Sequence, residues 1–172
     1  MPLQVRTAHT AELSTATLRA IRALLGLIEH DWDHALGGMH TMVWEDDRLI
    51  AHGAVIQRRL IHGGRALRTG YVEALGVHPD HRGRGHAATV TAVLERVIAA
   101  AYDLGALSAP PGVAAYWPAR GWQPWQGRTW ALTPMGIART EESDGTVHIL
   151  PGPVPLDVTG ELICDWRDGD IW

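Results

Sequence analysis

The feature that most constrains the fold is a strand, a loop and a helix in direct succession across residues 70–102. Gly70-Tyr71-Val72-Glu73-Ala74-Leu75-Gly76-Val77 is an apolar run of strand length, and His78-Pro79-Asp80-His81-Arg82-Gly83-Arg84-Gly85 reads as a loop. From His86 to about Tyr102, Ala87, Val90, Val93, Leu94, Val97, Ile98 and Ala101 recur at helical spacing and predict one apolar stripe. A buried strand feeding such a helix needs a sheet for the helix to pack on, so an α/β architecture follows. The loop suits anions: a helix N-terminus offers unpaired N–H groups and partial positive charge, glycines allow close approach, and Arg82 and Arg84 add charge. The string is neither Gly-x-Gly-x-x-Gly nor a P-loop, so those nucleotide fingerprints do not apply.

The rest of the chain supplies the sheet. The patterning predicts a strand over 3–8, a helix from 10 to about 27, and a loop or short helix over 29–36 stopped by Gly37-Gly38. Strands are predicted over 39–45 and 48–61, with turns at Asp46-Asp47 and His62-Gly63-Gly64. Beyond the long helix come a strand over 105–108, a short helix over 111–120 and β structure over 121–132. A polar, turn-rich stretch (133–145) and short strands over 146–150 and 161–164 complete the chain. This order predicts a mixed, mostly antiparallel sheet flanked by helices. The 172 residues suit a single domain, 1–172.

Composition narrows the function classes. All 15 basic residues are Arg, so neither a Schiff-base lysine nor a P-loop lysine is available. A net charge of −4 argues against nucleic acid as the main partner. No apolar run approaches about 18 residues and the N-terminus lacks a signal layout, so a cytoplasmic protein without membrane contact is expected. Cys164 is the only cysteine, which excludes an intramolecular disulfide and a Cys-rich zinc site, and nothing near it in sequence would activate it as a nucleophile. His30/His34 and His78/His81 have helical spacings but no His-Glu-x-x-His occurs, so no metal is expected. His40 and His52 fall on predicted strands and read as satisfied buried histidines.

Glu73 stands out as an acid inside an apolar string: either a general base or a solvent-facing carboxylate. Gly76 within the same strand suggests a bulge or a close approach. The segment 157–170 carries five acids (Asp157, Glu161, Asp165, Asp168, Asp170) against one base, Arg167, which fits either a cationic substrate or a solvated tail.

Arg82, Gly85 and Ala87 match the Arg/Gln-x-x-Gly-x-Gly/Ala acyl-CoA loop of the GCN5-related N-acetyltransferases (GNAT). Longer strings narrow the resemblance: Asp31-Trp32 with Leu36-Gly37-Gly38-Met39-His40, Gly70-Tyr71-Val72-Glu73, Arg120-Gly121-Trp122, Asp144-Gly145-Thr146-Val147 and Cys164-Asp165-Trp166-Arg167 before Trp172. Together they resemble the aminoglycoside 2′-N-acetyltransferases over nearly the whole chain. The resemblance implies the GNAT acyl-CoA N-acyltransferase fold, with a C-terminal β segment (about 133–172) completing the substrate site. It implies transfer of acetyl from acetyl-CoA to the 2′-amine of an aminoglycoside, conferring resistance. Glu73 would act on the amine through water. Leu75, Gly76 and Val77 would hold the pantetheine arm, and Arg82, Gly83, Arg84, Gly85, His86 and Ala87 the pyrophosphate. Asp31, Glu73, Ala74, Ser108, Asp170 and the terminal carboxylate of Trp172 would hold the acceptor. Family members commonly form homodimers, so a homodimer is expected.

The sequence departs from the family in three places. The loop at 27–32 is several residues shorter, and Ser143 replaces an acid just before Asp144-Gly145-Thr146. Both changes remove negative charge and point to a less cationic acceptor, with kasugamycin as the leading specific candidate. Five residues before Trp122, where the family places a tyrosine as general acid, stands Trp117, with Tyr116 beside it. Indole is no usable acid, so either Tyr116 takes that role or the thiolate leaves without one. Two other readings remain open on sequence: acetylation of a polyamine or amino-sugar metabolite, and a degenerate relative that binds drug or acyl-CoA without turnover.

Overall fold

The computed structural model describes residues 3–172; Met1 and Pro2, which the single-domain expectation includes, lie outside the described residues. In chain order the elements are β1 (Leu3–His9), α1 (Thr15–Leu25), α2 (Glu29–His34), β2 (Met39–Glu45), β3 (Arg48–His62), β4 (Arg65–Val77), α3 (His86–Ala101), β5 (Leu104–Ser108), β6 (Gln123–Pro124), β7 (Thr129–Thr133), β8 (Gly136–Arg139), β9 (Val147–Leu150) and β10 (Leu162–Cys164). The chain divides into two compact units. One holds the residues up to Ile56 with Val72–Val97, the other Gln57–Tyr71 with Ile98–Trp172; β3, β4 and α3 each contribute to both.

In the first unit, β1 pairs antiparallel with β2 and β2 with β3. The helix expected over 10–27 is two pieces. Thr10–Glu12 forms a 3-10 turn capped by His9, and Leu13 then leaves helical geometry. Ser14 starts α1 afresh, its hydroxyl accepting from the Thr17 N–H at 3.1 Å, and Gly26 ends it at φ 62°. Ile21 of α1 and Trp32 of α2 pack with Ala8, Ala35, Met42 and Leu49 into one core. Gly53 lets α3 lie close on β3, because a Cβ there would stand 2.8 Å from Val90 Cγ1 and 3.0 Å from Leu94 Cδ1. Val90 and Leu94 are fully buried, which contributes about 1.5–3 kcal/mol each.

In the second unit the strands run β6-β9-β5-β4-β3-β10-β7-β8. β4/β5 and β10/β7 are parallel; β5/β9, β6/β9, β10/β3 and β7/β8 are antiparallel, so the sheet is mixed and mostly antiparallel. β3 returns as β4 through Gly63-Gly64, whose positive φ values (56° and 75°) suit the tight turn of a two-residue hairpin. Leu60, Tyr71, Leu104, Trp125, Ile149, Leu162, Cys164 and Trp172 form the core. The helix expected over 111–120 is two 3-10 turns, Pro111–Tyr116 and Pro118–Arg120, because Pro118 has no N–H to continue the first. Of the β structure expected over 121–132, only β6 and the start of β7 form. The stretch read as turn-rich contains β8.

Candidate active site

β4 is regular until Ala74, which takes φ 53°. A residue with a Cβ is strained in the left-handed region, and a single such residue bends a strand. The irregularity expected at Gly76 therefore lies two residues earlier. Gly76 itself is a close approach: Leu25 Cδ2 of α1 fills the place a Cβ would take. Glu73 to Val77 are all half-buried. The Ala74 carbonyl accepts from His52 Nδ1 at 2.9 Å. Behind it, His52 Nε2 lies 2.9 Å from His40 Nδ1, and His40 Nε2 lies 2.7 Å from Thr10 Oγ1. Burial pushes His40 down to about 4, helped by His9. Burial likewise pushes His52 down to about 3, opposed by the Ala74 carbonyl and aided by His40.

The loop after β4 keeps the geometry read from the sequence. His78 accepts from the Asp80 N–H, Pro79–His81 form a 3-10 turn, and Arg82 Nε donates to the Val77 carbonyl at 3.2 Å. Gly83 and Gly85 have φ 74° and 85°, and residues 82–85 are exposed. The first-turn amides of α3 have no acceptor within the helix. An exposed run of amides with two arginines fits a phosphate or pyrophosphate. His86 is buried, so its backbone and not its imidazole faces such a ligand. Ala87 follows in the first turn of α3. Asp31 lies half-buried on α2 in the same unit.

The second unit holds the other candidates. Ser108 ends β5 opposite Val147, with its Oγ 3.0 Å from Thr146 Oγ1. Tyr116 is half-buried and meets Trp117 edge-on at 5.0 Å, while Trp117 is buried edge-on against Trp122 at 5.2 Å. Trp117 therefore packs in the interior and Tyr116 keeps access to solvent. Asp170 is exposed and its carbonyl accepts from Arg167 Nε at 2.7 Å. The Trp172 indole is locked in the core, its Nε1 donating to Thr140 Oγ1 at 2.9 Å, so its ring is not available to a substrate.

The acid-rich segment is less available than its charge suggests. Asp157 accepts from the amide and hydroxyl of Thr159 at 3.0 and 2.6 Å. Asp165 pairs with buried Arg58 at 2.7 Å and accepts from the Arg59 N–H at 3.2 Å. Arg58 was not singled out from sequence; its partner lies 107 residues away, beyond any local signal. Asp144 is likewise structural. Arg139 and then Thr129 hydrogen-bond to it and hold its carboxyl well below the usual range. Burial pushes the Cys164 thiol up to about 11. Among the described residues no group of three or more His, Cys, Asp or Glu could hold a metal, and no helix is long and apolar enough to cross a membrane.

A family profile described as "Acetyltransferase (GNAT) domain" matches residues 18–122. An aminoglycoside 2′-N-acetyltransferase of Mycolicibacterium fortuitum is 45% identical over 177 residues, covering 97% of this chain and 91% of that protein. Two solved structures share the fold at low identity. An acyl-CoA N-acyltransferase from Pseudomonas aeruginosa has TM-score 0.61 and 15% identity, over 86% of this chain and 99% of that one. The N-acetylglutamate synthase of Neisseria gonorrhoeae, complexed with coenzyme A and L-arginine, has TM-score 0.57 and 13% identity, over 88% of this chain and 34% of that one. With a family match across its glycine–arginine loop and near end-to-end likeness to an enzyme that moves acetyl groups, the chain belongs to the GNAT family and is an acetyltransferase.

Proposed function

We propose that this acetyltransferase moves the acetyl group of acetyl-CoA to the 2′-amine of an aminoglycoside, with kasugamycin as the leading acceptor. The observation that carries the reading is the 45% identity over 97% of the chain to an aminoglycoside 2′-N-acetyltransferase. The geometry agrees with the roles. The exposed amides after Gly83 and Gly85, with Arg82 and Arg84, suit the cosubstrate's pyrophosphate. Leu75, Gly76 and Val77 present strand backbone to the pantetheine arm. Glu73, beside the Ala74 turn, takes the amine proton through water as nitrogen attacks the thioester carbonyl. Tyr116, which keeps solvent access, is the better placed of the adjacent aromatic pair to return a proton to the leaving thiolate. Ser108, Asp170, Asp31 and Trp172 are assigned to the acceptor. The kasugamycin preference rests on Ser143, which is buried and hydrogen-bonded within its own turn where the family carries an acid, and on the short loop at 27–32.

A thiol-release assay with acetyl-CoA against kasugamycin, tobramycin, gentamicin and spermidine tests this. Turnover on kasugamycin alone supports the full reading. Comparable turnover on tobramycin or gentamicin keeps the aminoglycoside and removes the basis for the preference. Turnover on spermidine alone overturns the acceptor class.

A further inference from the structure

Thr10, His40, His52 and the Ala74 carbonyl form a continuous chain of hydrogen bonds at 2.7, 2.9 and 2.9 Å, with both imidazoles fully buried, Thr10 and Ala74 half-buried, and the ring centroids 5.2 Å apart. Its polarity is forced. A carbonyl only accepts, so His52 carries its proton on Nδ1. A neutral imidazole then presents Nε2 as an acceptor, so His40 also carries its proton on Nδ1. His40 Nε2 is left to accept from the Thr10 hydroxyl. That hydroxyl is itself held: its oxygen accepts from the Gly37 N–H at 2.9 Å, and His40 Nε2 at 2.7 Å is a closer acceptor for its proton than the Gly38 carbonyl at 3.3 Å, which also accepts from the Thr10 amide at 3.0 Å. The chain runs one way, from the end of β1 to β4.

Its far end is the one strained position in that strand. Ala74 is held at φ 53°, a conformation that persists only where the surroundings impose it. A trans peptide sets the Ala74 carbonyl and the Leu75 N–H in opposite directions. Drawing the carbonyl towards His52 therefore turns the Leu75 N–H the other way. Leu75 carries the N–H of this peptide, and Glu73 directly precedes Ala74.

We propose that His52, oriented by His40 and Thr10, is a positioning residue for acetyl transfer: it fixes the left-handed turn at Ala74 and with it the direction of the Leu75 N–H. This rests on the reading in which β4 carries the base and the cosubstrate-binding strand. It follows that a remote hydroxyl matters. Without the Thr10 donor, His40 Nε2 is a buried acceptor with nothing to accept from. Reversing both tautomers to satisfy it would set two acceptors, His52 Nδ1 and the Ala74 carbonyl, against each other.

Three variants test this: Thr10→Val, His52→Asn, whose side-chain amide keeps a donor near Nδ1, and His52→Leu. The readouts are kcat, KM for acetyl-CoA, imidazole 15N shifts and the amide 15N shift of Leu75 in the ligand-free protein. His52→Leu is expected to lower kcat about 10- to 100-fold with KM changed less than about threefold, the signature of lost orientation. His52→Asn recovers most of that loss, and Thr10→Val lowers kcat several-fold. The wild-type shifts report both histidines as Nδ1–H tautomers, and the Leu75 amide moves in Thr10→Val and His52→Leu. A kcat within about twofold of wild type in a folded His52→Leu overturns the proposal, as does a fall in kcat with an unmoved Leu75 amide. If His52→Leu does not fold, Thr10→Val and His52→Asn decide by the same readouts. If the wild type acetylates no amine in the panel, the functional reading fails separately. The Leu75 amide and the tautomers then decide whether His52 holds the turn.

Discussion

The loop between β4 and α3 and the C-terminal segment 157–172 both carry dense charge, and they use it in opposite ways. In the loop the useful groups are backbone amides. Gly83 and Gly85 give the loop its positive-φ turns, and the two arginines are exposed, Arg82 also donating to the Val77 carbonyl at 3.2 Å. In the C-terminal segment the conspicuous side chains are taken up internally. Asp157 closes a turn on Thr159, Asp165 neutralises buried Arg58, and Trp172 fills the core with its indole nitrogen on Thr140. Backbone presented by glycine remains available to a ligand by construction. Charged and aromatic side chains near a core tend to find partners there first. Acid count alone is thus a poor guide to which carboxylates stay available, whereas glycines ahead of a helix mark where backbone stays exposed.

Four measurements would break or sharpen that contrast. Glu73→Gln, which alters a side chain on the loop's own strand, is expected to lower kcat about 10²–10⁴-fold while the protein stays folded; unchanged turnover would remove Glu73 as the base. Trp172→Ala should cost about 3–5 kcal/mol in urea unfolding if the C-terminus is core rather than tail; a loss below about 1 kcal/mol would show the opposite. Acid should act on the first unit. His40 and His52 titrate below 6.5 when folded, so the unfolded chain takes up their protons first. Their stabilisation is present above pH 6.5 and is lost as pH falls towards about 4 and about 3. From pH 6.5 to 5.5 the loss is about 1 kcal/mol per histidine, read from urea midpoints. Replacing both histidines should flatten that dependence. Smallest, Arg84→Ala should raise KM for acetyl-CoA about three- to tenfold with kcat unchanged, an effect that shrinks with added salt because the arginine is exposed.

The parts of the molecule legible in the sequence were those with local causes. The apolar stripe beginning at Ala87 marked α3 to within a residue of its end, and the glycine–arginine string marked the loop. The split between the Thr10–Glu12 turn and α1 was missed because Leu13 keeps the helical apolar spacing while Ser14 acts as a cap. The β structure expected over 121–132 is longer than β6 and β7, and between them Trp125 is buried in the core without lying in a strand. At the candidate site, the sequence singles out Glu73 and the loop as proposals, and the structure places Glu73 half-buried next to Ala74 and the loop exposed. The turn at Ala74 has no such signal, because alanine carries none for a left-handed backbone, and the hydrogen bond to its carbonyl comes from His52, more than twenty residues earlier. His40 and His52 are satisfied buried histidines, and their contact with each other follows only from the register of β2 and β3.

Cys164 has a practical consequence. It is the sole cysteine, fully buried in the core of the second unit, with its thiol pushed up to about 11. A disulfide reagent attacks thiolate it can reach, and the native fold offers it neither access nor ionisation. In an assay that counts released thiol, the folded protein is therefore chemically silent and every equivalent detected comes from the cosubstrate. The same residue turns into a reporter once the core opens, because the labelling rate then measures how often β10 separates from its neighbours. One sulfur atom thus gives a blank for turnover and a clock for local unfolding.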